Sequence, residues 1–228
     1  DAEGNIVSQR WFYYDYNENR FIPPVIGDLT MVEDWLSSDP ANSPKTRMEY
    51  DAYGNVIKTI DPNGNSTTIV YDTTLQTFPV LTVNALGHQQ ESTYDLAIGK
   101  VLMIIDPNGH ITENVYDTFA RLIATIQPGD SKQSPTVSYE YDLDSFPTRT
   151  IQRAREQIGT DQVLVSITYF DGFRRPIQTK TESENPSQQI VSNTTTYNHR
   201  GQVKQQWLPF FAPVSGDYTA PPSDQPYA

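Results

Sequence analysis

The pair Tyr-Asp returns along this chain at a nearly constant stride, and no other feature limits its architecture so tightly. The pairs are Tyr50-Asp51, Tyr71-Asp72, Tyr94-Asp95, Tyr116-Asp117 and Tyr141-Asp142. Two looser copies follow at Tyr169-Phe170-Asp171 and Tyr197-Asn198. Successive tyrosines stand 21, 23, 22, 25, 28 and 28 residues apart. A period of this size means one supersecondary unit used repeatedly. Such a unit cannot bury its apolar face alone, so it must stack on its neighbours.

Residues 50–72 show the unit. A first turn, Tyr53-Gly54-Asn55, follows Tyr-Asp, and a second is Asp61-Pro62-Asn63-Gly64. The second fits a type I turn, with Asp at the first position, Pro presetting φ at the next and Gly closing it. Between and after the turns lie Val56–Ile60 and Ser66–Tyr71, both of strand length and rich in β-branched residues. Asp106-Pro107-Asn108-Gly109 repeats the second turn, and Asn84-Ala85-Leu86-Gly87 fills the slot between them. Alternation places Val137, Tyr139 and Tyr141 on one strand face, and Val163, Val165, Ile167 and Tyr169 on another. The spacing predicts an all-β chain, an antiparallel β-meander of tandem hairpins. A tyrosine at one position per unit is expected to stack across strands. The Asp beside it is expected to accept backbone N–H groups at the turn.

Composition agrees with a folded chain of this kind. Apolar residues make up 36%, yet 14 Tyr, 9 Phe and 3 Trp supply rings for packing. The net charge of −12 disfavours nucleic acid and anionic membranes as partners. There is no cysteine, hence no disulfide framework or thiolate metal site. No apolar run reaches the length of a membrane span. The opening Asp-Ala-Glu-Gly shows no signal peptide and suggests a mature or excised piece.

The Tyr-Asp pairs, the two Asp-Pro-Asn-Gly turns and the stretch Tyr169-Phe170-Asp171-Gly172-Phe173-Arg174-Arg175-Pro176-Ile177-Gln178-Thr179 resemble the RHS/YD-repeat family. That family includes bacterial RHS proteins, the B and C components of Tc toxins, and animal teneurins. The stretch departs from the common repeat form at Arg174, where Gly is usual. The resemblance covers residues 45–208 and is strongest to the B-type Tc component, which the later Gln206-Trp207-Leu208-Pro209-Phe210-Phe211 also suggests. It implies that the chain is an arc of a large RHS-type β-shell, a structural segment that encloses a toxin or effector polypeptide. The implied partners are further repeats of the parent or a toxin subunit, and the enclosed polypeptide. The implied location is secreted or cell-surface, in a bacterial toxin complex. The family's self-cleavage motif is not matched, because Asn65 and His110 follow the Asp-Pro-Asn-Gly turns where Leu would be expected. Tyr13-Tyr14-Asp15 with Arg20-Phe21-Ile22 reads as one more degenerate repeat.

Three regions are expected: residues 1–44, a divergent N-terminal repeat with an inserted loop or short helix; 45–208, the repeat array; and 209–228, a Pro-rich tail or linker. The helix reading rests on Asp28 as a cap and on Leu29, Val32 and Leu36 at helical spacing. An inserted loop fits the same residues. In the tail, five prolines disfavour central strands.

Sites for chemistry are sparse. There is no Gly-x-Ser-x-Gly elbow and no Cys nucleophile, so no catalytic residue is assigned and the chain is expected not to be an enzyme. His88 and His110 occupy equivalent slots after turn glycines, and His199 sits in another turn; polar turn roles explain all three without a metal. Asp61-x-Asn63-x-Asn65 imitates the start of a calcium loop but lacks its Gly and terminal Glu. Asn65-Ser66-Thr67 and Asn193-Thr194-Thr195 match glycosylation acceptors. No cofactor is expected. The alternative function is an extracellular carbohydrate-binding or adhesion module, with Trp11, Trp35 and Trp207 as stacking platforms for a glycan.

Overall fold

The structure, a computed structural model, describes residues 9–36 and 39–228. These form two compact units, residues 1–111 and 112–228. The first holds β1 (Gln9–Tyr14), β2 (Leu29–Trp35), β3 (Lys45–Tyr50), β4 (Val56–Ile60), β5 (Ser66–Tyr71), β6 (Pro79–Val83), β7 (Gln89–Asp95) and β8 (Lys100–Ile105). At the boundary begins β9 (Ile111–Tyr116), followed by β10 (Leu122–Ile126), β11 (Val137–Asp142), β12 (Thr148–Arg155), β13 (Val163–Phe170), β14 (Pro176–Glu182) and β15 (Gln188–Ser192). The last strands are β16 (Thr195–Tyr197), β17 (Val203–Gln206) and β18 (Phe210–Pro213). Strand order follows chain order from β1 to β8 in the first unit and from β9 to β15 and then β18 in the second, while β16 and β17 form a separate two-stranded sheet. The predicted all-β meander is the fold.

The short strands arise where β-branched and aromatic residues lie between turn residues that reverse the chain. At seven reversals an Asp or Asn and the residue four positions on exchange a backbone hydrogen bond, from Asp51–Asn55 through Asn198–Gln202. The residue just before that Asp or Asn meets a β-bulge at four of them, Tyr50, Tyr116, Phe170 and Tyr197, whereas Ile60 and Val83 pair without one. Each bulge adds twist where the strand ends and lets the next strand start beside that residue.

Two expectations are corrected. Residues 29–35 are not helical: they form strand β2, hydrogen-bonded to β1 on one side and β3 on the other. Asp28 does not cap a helix; its N–H instead donates to the Asp15 carboxylate at 3.0 Å. The short 3-10 turn Pro40–Asn42 is the only helical element among the described residues. The Pro-rich tail is not a free linker either. Its Phe210–Pro213 pairs with β15 at the sheet edge, and Ala228 and Gln206 exchange backbone hydrogen bonds of 3.0 and 3.1 Å. Proline is tolerated there because an edge strand needs donors on one side only.

Neither unit has a deep core. Among the described residues, the buried apolar side chains are Tyr13, Ile126, Tyr169, Val191, Phe210 and Ala212. Three of them, Val191, Phe210 and Ala212, cluster where β18 meets β15. Most other strand residues are half-buried on both faces.

Candidate functional site

The repeating structural site is a carboxylate clasp at the hairpin tip. In the 61–65 turn, Asp61 Oδ1 accepts the N–H groups of Asn63 (2.9 Å) and Asn65 (2.8 Å), and Oδ2 accepts Asn65 Nδ2 (2.8 Å). Asp51 repeats this with Tyr53 and Asn55. Asp106 does so with Asn108 and His110. Arg replaces the amide at two tips: Arg121 Nε reaches Asp117 at 2.7 Å, and Arg175 Nε reaches Asp171 at 2.8 Å. Asn84 and Asn198 hold the same backbone donors without a charge. The rule is an Asp or Asn, then a positive-φ residue three positions on, then a side chain that can close on it.

Glycine takes that positive-φ position at Gly54, Gly64, Gly87, Gly109 and Gly201. Ala120 and Arg174 hold it instead in two turns, each with φ 59. The departure from the family pattern at Arg174 therefore leaves the turn geometry intact.

These contacts set the charge state of the clasps. The side-chain amide of Asn65 and its N–H hold Asp61 below the ordinary carboxylate range. The His110 N–H does the same for Asp106. Asp72 is lowered furthest, since its carboxylate accepts the N–H groups of Phe78, Thr77, Leu75 and Thr74. Asp95 and Asp142 make looser versions, Asp95 with Ala97 and Ile98, Asp142 with Ser145 and Arg149.

Tyr50, Tyr71 and Tyr141 are held by hydroxyl hydrogen bonds rather than by stacking on one another. Successive repeat tyrosines are two strands apart, about 9.5 Å, which is beyond ring contact. Their hydroxyls tie strands instead. Tyr50 donates to the Leu29 carbonyl at 2.9 Å, Tyr71 to Val56 at 3.2 Å and Tyr141 to Leu122 at 2.8 Å. Each acceptor is the first residue of the preceding strand. Tyr94 stacks on Phe78 with ring centroids 5.0 Å apart. Tyr116 ends β9 opposite Leu122. Arg121 lies over the Tyr141 ring at 4.6 Å and Arg175 over Tyr197 at 4.3 Å.

Tyr169 behaves differently. In Tyr169-Phe170-Asp171 the residue next to the turn is Phe170, and the bulge falls there. Alternation sends the Tyr169 ring to the opposite face, where it is 1% exposed. Its hydroxyl donates to the Gly216 carbonyl at 2.7 Å. A strap after β18 crosses this face. Arg149 also donates to Gly216, and Lys180 to the carbonyls of Asp217 and Ser215. Gln178 holds both the carbonyl (2.7 Å) and the N–H (3.0 Å) of Thr219. Nothing in the local sequence marks these residues, because their partners are backbone atoms far along the chain.

The other sites considered are occupied by structure. His110 Nδ1 lies 3.1 Å from Asp106, and His88 Nδ1 lies 3.4 Å from Asn84. No group of three or more His, Asp or Glu among the described residues is placed to hold a metal ion. The Asp61 carboxylate is engaged by its own turn. Of the tryptophans, Trp11 is covered by Arg20 at 3.6 Å and lies 6.1 Å from Trp35, while Trp207 packs 5.7 Å from Tyr227.

A domain of unknown function, DUF6443, matches residues 145–227, the stretch that includes the strap. No curated protein matches the chain. Among solved structures, the crystal structure of TcdB2-TccC3 superposes with a TM-score of 0.73 at 14% identity. The same complex without its hypervariable C-terminal region gives 0.72 at 12%. Both superpositions cover 90% of this chain, but only 15% and 17% of the larger ones. The Photorhabdus luminescens Tc holotoxin pore gives 0.50 at 14% identity. The fold is thus that of a stretch of TcdB2-TccC3, and this chain spans about a sixth of that chain's length.

Proposed function

We propose that this chain is a wall segment of an RHS-type shell that encloses and shields a toxin or effector polypeptide. It acts by steric exclusion and carries out no catalysis. One observation carries the reading: neither unit has a deep apolar core of its own. Among the described residues only six apolar side chains are buried, Tyr13, Ile126, Tyr169, Val191, Phe210 and Ala212. Strands that are mostly half-buried, with so few buried apolar side chains, suit a barrier between solvent and cargo.

The clasps and tyrosine ties suit the same role. They fix each hairpin through local bonds, so the wall holds its geometry without relying on a thick interior. Its natural neighbours are further repeats of the parent or a toxin subunit, in a secreted bacterial complex. The test is glycan binding against cargo protection. The complete native protein should shield a co-purifying polypeptide from protease and stay silent on a glycan array. Saturable glycan binding with no protected polypeptide would favour the adhesion module.

A further inference from the structure

The strap and the face beneath it form a built trough. Gln178, Lys180, Tyr169 and Gln189 are 0, 1, 1 and 6% exposed. Buried polar groups of this kind are costly unless satisfied, and the strap satisfies them. Lys180 carries the clearest sign: burial pushes its ammonium below the ordinary lysine range, and it donates to the main-chain carbonyls of Ser215 and Asp217 in the strap. Gln189 Nε2 adds a bond of 3.2 Å to Ser215.

What the trough reads is backbone plus two side-chain positions. A Cβ on Gly216 would lie 3.1 Å from Arg149 Nη1, so a side chain there would press on a guanidinium that Asp142 holds at 2.9 Å. Two residues on, Tyr218 packs edge-on against Tyr169 with centroids 6.1 Å apart. Val214 is 62% exposed and the Asp217 side chain 94%, its carboxylate 4.0 Å from Arg149 Nη1, while Ser215 and Thr219 are half-buried. The strap belongs to no strand. A cavity of about 430 Å³ runs along its flank, lined in part by Val165, Ile167 and Pro186, so the trough is wider than its occupant.

We propose that this trough is a peptide-binding site. Its ligand class is an extended segment carrying Gly-x-aromatic, and residues 214–219 of the chain are its resident, displaceable occupant. Main-chain carbonyls supply affinity, while the Gly and aromatic positions supply selectivity, as when a strand is recognised through its backbone. A trans peptide must compete with the tethered strap, whose effective concentration is high. The reading does not depend on the shell role.

The experiment uses the full chain and a fluorescent peptide spanning residues 214–221, titrated by anisotropy. Gly216→Val in the protein weakens the resident strap. That variant is expected to bind the peptide at least tenfold more tightly than the unaltered chain. A peptide carrying Gly216→Val should not bind, and adding Gln178→Ala to the protein variant should cost about tenfold. Tyr218→Ala serves as a second release variant should the first disturb the sheet, which circular dichroism reports. Hydrogen exchange at the Thr219 amide must rise in the release variants. Equal peptide binding by unaltered and released chains, no binding to a folded released chain, or an unchanged Thr219 amide would each overturn the proposal.

Discussion

The Tyr141 hydroxyl donates to the Leu122 carbonyl at 2.8 Å, tying the end of β11 to the start of β10. Leu122 itself stands opposite Tyr116, so one residue joins the bulge of one hairpin to the tyrosine of the next unit. Tyr141→Phe keeps the ring and removes the tie. It is expected to cost about 0.5–1.5 kcal/mol, read as a lower urea midpoint with an unchanged m-value. Tyr141→Ala should cost clearly more, because Arg121 also loses the ring it covers.

Ala120 and Arg174 hold the left-handed position that glycine fills in five other clasps. Glycine avoids the Cβ penalty there, partly offset by its greater freedom when unfolded. Ala120→Gly and Arg174→Gly should each raise stability by about 0.5–1 kcal/mol. The reverse change, Gly64→Ala, should lower it by a similar or larger amount, with thermal unfolding as the readout.

The clasps make stability depend on acid. Asp61, Asp106 and Asp171 have folded-state pKa values below their unfolded ones. Between the two values the unfolded chain binds more protons, so stability rises with pH there. The clasp contribution is therefore complete above about pH 4 and lost as pH falls through the depressed folded values. Asp61→Asn, which copies the natural Asn84 and Asn198 clasps, should flatten part of this acid dependence in denaturation midpoints measured across that range.

Arg155 and Asp130 form a buried ion pair at 3.2 Å, with side chains 6 and 1% exposed. It anchors the loop after β10 to the end of β12, and Thr136 Oγ1 donates to the other Asp130 oxygen at 2.7 Å. Asp130→Ala leaves the buried guanidinium only the Thr160 carbonyl and no counter-charge, and should cost about 3–5 kcal/mol. Replacing both partners with apolar residues should cost less than the sum of the single changes in a double-mutant cycle.

The hairpins were legible because their causes are local. An Asp, its two N–H donors and the closing side chain all lie within five residues, so Asp61-Pro62-Asn63-Gly64-Asn65 carries its own geometry. Strand β2 was not legible, since Leu29, Val32 and Leu36 fit a helical period while the hydrogen bonds that decide the matter come from β1 and β3. The bulge was equally hidden, and with it the fact that Phe170 rather than Tyr169 stands at the turn. The strap left the weakest trace. Gln178 and Lys180 look like solvent-facing residues of an alternating strand, and their acceptors lie 35 to 41 residues away in a Pro-rich tail.

The central claim is that this sheet is a wall around another polypeptide. The most direct measurement is limited proteolysis of the complete native protein, with fragments followed by intact mass before and after the wall is opened by mild acid. The account predicts a polypeptide outside the repeats that survives while the repeats are folded and is cut rapidly once they open. Cleavage of every non-repeat segment at the unfolded rate while the repeats stay intact would contradict it.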